Sequence, residues 1–126
     1  MINLRCLIVD DEPLAIRLIE NHISKIDALQ VVATASNAMK AFEILNTQQI
    51  DLLFLDIKMP YITGIDFLKS LKNPPKTIFT TAYRDYAIES YELEVIDYLL
   101  KPITIDRFDK SLAKLFKQQP IILNEE

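Results

Sequence analysis

Asp10 and Asp11 directly follow the apolar run Leu4-Arg5-Cys6-Leu7-Ile8-Val9, and Asp56 follows Leu52-Leu53-Phe54-Leu55. Thr81 closes the run Thr77-Ile78-Phe79-Thr80, and Lys101-Pro102 closes the run from Val95 to Leu100. Strands laid parallel in an open sheet end along one edge, which is where such sheets bind ligands. Three acids, a hydroxyl and an ammonium far apart in the chain would then share one shallow cleft. Acids at close range raise one another's pKa values, and desolvation adds to the effect. A hard cation resolves that conflict, and Mg²⁺ takes one or two carboxylates together with waters and phosphate oxygens. Metal, carboxylate, hydroxyl and ammonium are the parts that phosphoryl transfer needs. Asp56, alone before an irregular loop, is expected to face solvent as the nucleophile. Asp11 is expected as the direct metal ligand, with Asp10 acting through water or orienting it. Lys101 would neutralise an incoming phosphoryl group, and Thr81 would donate a hydrogen bond to it.

The elements that must position these groups alternate in type. Strands are expected at about 3–9, 30–35, 51–55, 76–81 and 95–99. Helices are expected from Pro13 to about Ile26, from Ser36 or Asn37 to about Asn46, from Gly64 to Leu71, over about 85–91, and from Ile105 to Lys117. Pro13 suits a first helical turn, where its missing N–H costs nothing. Pro74-Pro75 separates a helix from a strand, and Thr104 or Asp106 can cap the last helix. The first, third and fourth strands alternate little, as expected of strands buried on both faces. Five βα units in succession imply a parallel sheet covered on both sides by helices.

The 126 residues suit a single domain with a real core. The longest apolar runs span only a few residues, so neither a signal peptide nor a membrane span is expected. A net charge of −4 without a basic stripe argues against nucleic-acid binding by the domain itself. Cys6 has no partner in the chain and reads as a buried thiol in a reducing cytoplasm. Residues 119–126, after a domain of 1–118, read as a C-terminal tail or the start of a linker.

Five segments together carry a resemblance over nearly the whole chain: Val9-Asp10-Asp11-Glu12-Pro13, Leu55-Asp56-Ile57-Lys58-Met59-Pro60, Gly64, Thr80-Thr81-Ala82, and Asp97-Tyr98-Leu99-Leu100-Lys101-Pro102. In this order and spacing they resemble the receiver domain of bacterial two-component response regulators. The resemblance implies a flavodoxin-like (βα)₅ doubly wound fold with strand order 2-1-3-4-5. It also implies a sensor histidine kinase that passes phosphate to Asp56, and Mg²⁺ held by Asp11, Asp56 and the backbone carbonyl of Lys58, near Asp10. Lys101-Pro102 looks like the family's cis peptide, and Tyr98 matches its aromatic switch residue, which turns inward as Thr81 moves toward the phosphoryl group. The finer phrases Asp11-Glu12-Pro13-Leu14-Ala15, Phe79-Thr80-Thr81-Ala82-Tyr83 and Val95 to Ile103 look like receivers that precede a LytTR-type DNA-binding domain. That likeness implies DNA contact only through an effector domain outside this chain. The face made by the helix at 85–91, the last strand and the last helix would control homodimerisation. Tyr86, Ile88, Tyr91, Glu92, Arg107, Asp109 and Lys110 supply its mixed surface.

Plainer readings stand beside these. Asp10-Asp11 could stabilise the dipole of the Pro13 helix, Asp56 could cap a turn, and Tyr98 could be a half-buried strand aromatic. Lys58 and Tyr83, two residues beyond Asp56 and Thr81, could tune dephosphorylation or simply be solvated. His22 is expected to be exposed mid-helix, and Glu12, Glu89 and Glu94 to be surface charge. A phosphatase of the haloacid dehalogenase type would want an acid where Lys58 stands. A nucleotide or flavin site would want glycine-rich phosphate loops, and Gly64 is the only glycine. A receiver-like adaptor that has lost phosphorylation remains a third alternative.

Overall fold

A computed structural model describes residues 3–84 and 93–117. The elements run β1 (Leu4–Val9), α1 (Pro13–Ile23), β2 (Leu29–Ala35), α2 (Ala38–Thr47), β3 (Leu52–Asp56), α3 (Gly64–Lys69), β4 (Lys76–Thr81), β5 (Asp97–Leu100) and α4 (Ile105–Lys117). All strand pairs are parallel and the sheet order is β2-β1-β3-β4-β5. The order anticipated from the sequence is therefore the order observed.

Strand alternation divides the core into two layers. Cys6 and Ile8 of β1, Leu52 and Phe54 of β3 and Ile78 of β4 pack with Ile19, Ile23, Phe108, Leu112 and Leu115. Leu7, Val9, Leu53, Leu55 and Phe79 point the other way, onto Ala41, Ile65, Phe67 and Leu68. Apolar side chains on both faces are why these strands read as continuous runs rather than alternating ones.

The helix boundaries follow local hydrogen bonding. Asn37 accepts from the Lys40 amide at 2.8 Å and starts α2, so it is Asn37 rather than Ser36 that caps. Thr63 accepts from the Asp66 amide at 3.1 Å and starts α3. Thr104 accepts from the Arg107 amide at 3.2 Å and starts α4. Helix α1 stops at Ile23 rather than near Ile26, because the Lys25 and Ile26 amides turn to the carbonyls three residues back. Helix α3 ends two residues early for the same reason, with the Ser70 hydroxyl also donating to the Phe67 carbonyl. The last strand begins at Asp97 and runs to Leu100, two residues later than expected at its start. The helix expected at 85–91, with Tyr86, Ile88, Glu89, Tyr91 and Glu92, and the segment 118–126 lie outside the described residues.

One expectation needs correction. His22 is buried, not exposed; it shares the inward stripe of α1 with Ile19 and Ile23, three back and one on, and the polar residues beside it in sequence face elsewhere. Arg107, partly exposed, also has a partner within the domain. Its guanidinium grips the buried Asp97 carboxylate through two bonds of 2.8 and 3.0 Å and also donates to the Tyr98 carbonyl. Lys114 donates to the same carboxylate at 3.1 Å, and the Tyr98 amide donates to it at 2.8 Å. This clasp fastens α4 to β5.

Burial pushes the Asp97 carboxyl up, but Arg107, the Tyr98 amide and Lys114 outweigh it and hold the group at about 2, below its ordinary 3.8. The clasp therefore adds stability above about pH 4 that is lost as pH falls through 2. Asp97→Asn is expected to cost about 1–3 kcal/mol at pH 7, toward the lower end because Arg107 is partly solvent-screened. Urea unfolding at pH 7 and pH 3 should show the wild-type advantage shrinking at the lower pH.

Candidate functional site

The carboxyl ends of β1, β3, β4 and β5 form the site. After β1 the Asp10 amide bonds the Ala35 carbonyl, and Asp10 Oδ1 accepts the Glu12 amide at 2.9 Å. That turn directs the chain into α1, with Pro13 in its first turn. Asp10 is thereby fully buried, whereas Asp11 next to it stays exposed. Asp56 is the last residue of β3, and it is only 3 % exposed rather than facing solvent as anticipated. The loop after it folds back closely: the Gly64 amide bonds the Ile57 carbonyl at 2.7 Å. A Cβ on Gly64 would stand 2.3 Å from the Asp56 carbonyl oxygen. Glycine is needed there for space against the Asp56 backbone.

One carboxylate oxygen from each of Asp10, Asp11 and Asp56 lies within 4.8 Å of the others. Oxygens bound to one Mg²⁺ stand about 2.9 Å apart when adjacent and about 4.1 Å when opposite, so this all-oxygen set has the donor chemistry for that ion once the carboxylates draw in around it. Lys101 enters from the other side. Its ammonium is 2.9 Å from Asp10 Oδ2, 3.6 Å from Asp56 Oδ1 and 3.3 Å from Glu12 Oε1. The Asp10 contact is a charge contact without hydrogen-bond alignment. Glu12, read from the sequence as surface charge, thus joins the site from an exposed position. Only its adjacency to the acidic pair hints at this.

Burial raises the Asp56 carboxyl most strongly, the Asp10 charge adds to it, and Lys101 only partly offsets both, leaving it at about 7. Burial works against the Lys101 ammonium, but Asp10, Asp56 and Glu12 outweigh it and hold the group above the ordinary lysine range.

Thr81 ends β4, fully buried, and its carbonyl accepts the Lys101 amide at 2.7 Å. Its hydroxyl accepts the Tyr83 amide at 3.1 Å. The Tyr98 hydroxyl, on β5, donates to the Tyr83 carbonyl. Thr81 and Tyr98 therefore hold the two sides of one residue. Lys58 and Tyr83 are exposed and meet, the ammonium lying 5.1 Å from the ring centroid. The Lys101–Pro102 peptide is cis.

The sequence profile described as the response regulator receiver domain matches residues 6–113. This chain belongs to the response regulator receiver family. It is 37% identical over 118 residues to the sensory transduction protein LytR of Staphylococcus haemolyticus, a match covering 91% of this chain and 46% of that protein. The chain spans about half the length of the curated relatives it matches. Among solved structures, the REC domain of AraT from Geobacillus stearothermophilus superimposes with a TM-score of 0.83 at 31% identity, covering 96% of this chain and 98% of that one. The response regulator TrrA of Thermotoga maritima, solved in complex with Mg(2+)-BeF, gives a TM-score of 0.77 at 29% identity over 89% of this chain and 98% of that one. Receiver domains are signalling modules of two-component systems that partner with histidine kinases, and they are not conventional enzymes. No helix among the described residues is long and apolar enough to cross a membrane.

An Asp56 carboxyl raised to about 7 makes a metal-free receiver less stable as pH climbs from about 4 through 7, because ionising the acid leaves a buried charge only partly matched. Asp56→Asn is therefore expected to stabilise the metal-free protein at pH 8 by roughly 1–3 kcal/mol. That gain should shrink toward pH 5. Thermal melts in a chelating buffer at both pH values check it.

Proposed function

We propose that this receiver accepts a phosphoryl group from a sensor histidine kinase on Asp56, in an Mg²⁺-dependent reaction, and that the modification switches the face carrying Tyr98. The observation that carries the reading is the convergence of Asp10, Asp11 and Asp56 within 4.8 Å, with Lys101 against two of them. Asp11 and Asp56 would hold the cation together with the Lys58 backbone carbonyl. Asp10, with one oxygen on the Glu12 amide and the other beside Lys101, would act through water. The ion, when bound, neutralises charge on the carboxylates and the phosphoryl oxygens.

The residues of the chain then divide the work. An ionised Asp56 oxygen attacks phosphorus in line, the bond from phosphorus to the kinase imidazole breaks, and the imidazole nitrogen keeps the electron pair. Lys101 transfers part of its pairing from Asp56 to the new phosphoryl oxygens. The Thr81 hydroxyl leaves the Tyr83 amide to donate to another of those oxygens. Tyr98, bonded to the carbonyl of the same Tyr83, loses its anchor and turns inward. A few charge-assisted hydrogen bonds of roughly 1.5–3 kcal/mol each suffice for the ~5.5 kcal/mol that inverts a 1:99 population. Lys58 and Tyr83, two residues beyond Asp56 and Thr81 and in contact with each other, would limit water access to the acyl phosphate and so set its lifetime.

The repacked face beside β5 and α4 would bring two copies together in the cytoplasm. The likeness to LytR supports a LytTR-type effector domain as the output in the whole protein, with DNA contact through that domain alone. Intact mass after incubation with Mg²⁺ and acetyl phosphate should show one added phosphoryl group, absent from Asp56→Asn and without Mg²⁺. The phosphorylated form should sediment as a dimer at tens of micromolar. No mass addition would contradict the phosphoacceptor role, and a phosphorylated monomer would contradict the dimer output.

A further inference from the structure

The segment from Lys101 to Thr104 carries the site's ammonium, yet it is irregular backbone. Its first amide is pinned to β4 by the Thr81 carbonyl, and its last residue caps α4. Between those anchors, Ile103 is buried and its carbonyl lies 2.9 Å from His22 Nε2. A carbonyl only accepts, so Nε2 carries the proton and donates. The other ring nitrogen, Nδ1, is buried and has no hydrogen-bond partner among the described residues. The ring's hydrogen bond to the Ile103 carbonyl is therefore its one polar tie among the described residues. The Phe108 ring of α4 holds it at a centroid distance of 5.2 Å, and Phe108 is itself stacked on Phe54 of β3.

His22 stands on α1, the helix whose entry is formed by the Asp10–Glu12 turn. The distance along α1 from Glu12 to His22 is about 15 Å at 1.5 Å per residue. The Lys101 segment is thus held against α1 at two heights. Its ammonium meets Asp10 and Glu12 at the top, and its Ile103 carbonyl meets His22 lower down.

We propose that His22 is a positioning residue for Lys101. By donating to the Ile103 carbonyl it fixes the path of the backbone from which Lys101 reaches Asp10 and Asp56. This rests on the reading above that Lys101 serves phosphoryl transfer to Asp56. Without the donor, the Ile103 carbonyl is buried and unpaired, which is costly enough to move the segment. Misplacing a reacting group's partner by about an ångström can cost up to ~10²-fold in rate.

The test compares His22→Phe, which keeps a ring against Phe108 but has no donor, with His22→Gln, whose side-chain amide can donate again. His22→Met takes the place of the Phe variant should that variant not fold. Each protein is held well below its own melting temperature. Asp56 phosphorylation by acetyl phosphate is followed at saturating Mg²⁺, and Mg²⁺ affinity is measured by calorimetry. The expected result is a roughly 5–20-fold lower maximal rate for the Phe variant, an Mg²⁺ affinity within about twofold of wild type, and recovery to within about threefold in the Gln variant. A Phe variant as fast as wild type overturns the proposal, as does a Gln variant as slow as the Phe variant.

A second readout needs no phosphorylation. The ¹⁵N–¹H signal of the ion-paired Lys101 ammonium, assigned by its loss in Lys101→Arg, should survive in the Gln variant and broaden or vanish in the Phe variant. An unchanged signal in the Phe variant overturns the positioning role. Wild-type protein that never takes up phosphate would contradict the reading of Asp56 instead, and the ammonium signal would still decide the role of His22.

Discussion

The structure depends on one electrostatic constraint: three carboxylates at one sheet edge, two of them buried, against a single ammonium. Burial raises the Asp56 carboxyl most, the Asp10 charge adds to it, and Lys101 offsets only part of both, which is why Asp56 remains near 7. A domain that wanted only stability would replace such a cluster with apolar residues, since buried charge is rarely a net gain. The cluster is left with a residual demand for positive charge, which is compatible with the acidic Mg²⁺ pocket of the receiver family.

The rest of the fold brings these groups together and prevents their separation. Parallel pairing sends four strand ends to one edge, and two apolar layers hold the strands in register. Gly64 lets the loop after β3 return against Asp56 with no side chain between. On the far side, the Asp97 clasp fastens α4 to β5, and the Tyr98 backbone lies inside that clasp while its hydroxyl reaches Tyr83. The Tyr98 backbone is thus tied to the clasp on both its amide and its carbonyl, while its side chain reaches the other way to Tyr83.

Much of this was legible in the sequence because parallel strands translate one-dimensional spacing into a shared edge. Asp10, Asp11, Asp56, Thr81 and Lys101 each follow an apolar run, and each is found at the end of its strand or just beyond it. The strand order came with the family likeness, not with composition. What escaped depended on tertiary packing. The irregular loop after Asp56 suggests a solvent-facing acid, yet the carboxylate is buried at the strand end. His22 was expected outside because Glu20 and Asn21 flank it. Its phase relative to Ile19 and Ile23 was the signal that places it inward. Glu12 lies beside the acidic pair in a segment that carries the family likeness, but nothing in its spacing joins it to Lys101, 89 residues on. The ends of α1 and α3 depend on local three-residue turns that the apolar pattern runs straight past.

The most direct test of the central claim is calorimetric titration of Mg²⁺ into the unphosphorylated protein in buffers of different ionisation enthalpy. If burial and the neighbouring acids keep Asp56 part-protonated near neutrality, Mg²⁺ displaces part of a proton at pH 7, and the observed enthalpy varies with the buffer. That dependence should vanish at pH 8.5, where Asp56 is already ionised, and in Asp56→Asn. Binding at pH 7 with no buffer dependence, or no binding at millimolar Mg²⁺, would contradict the account.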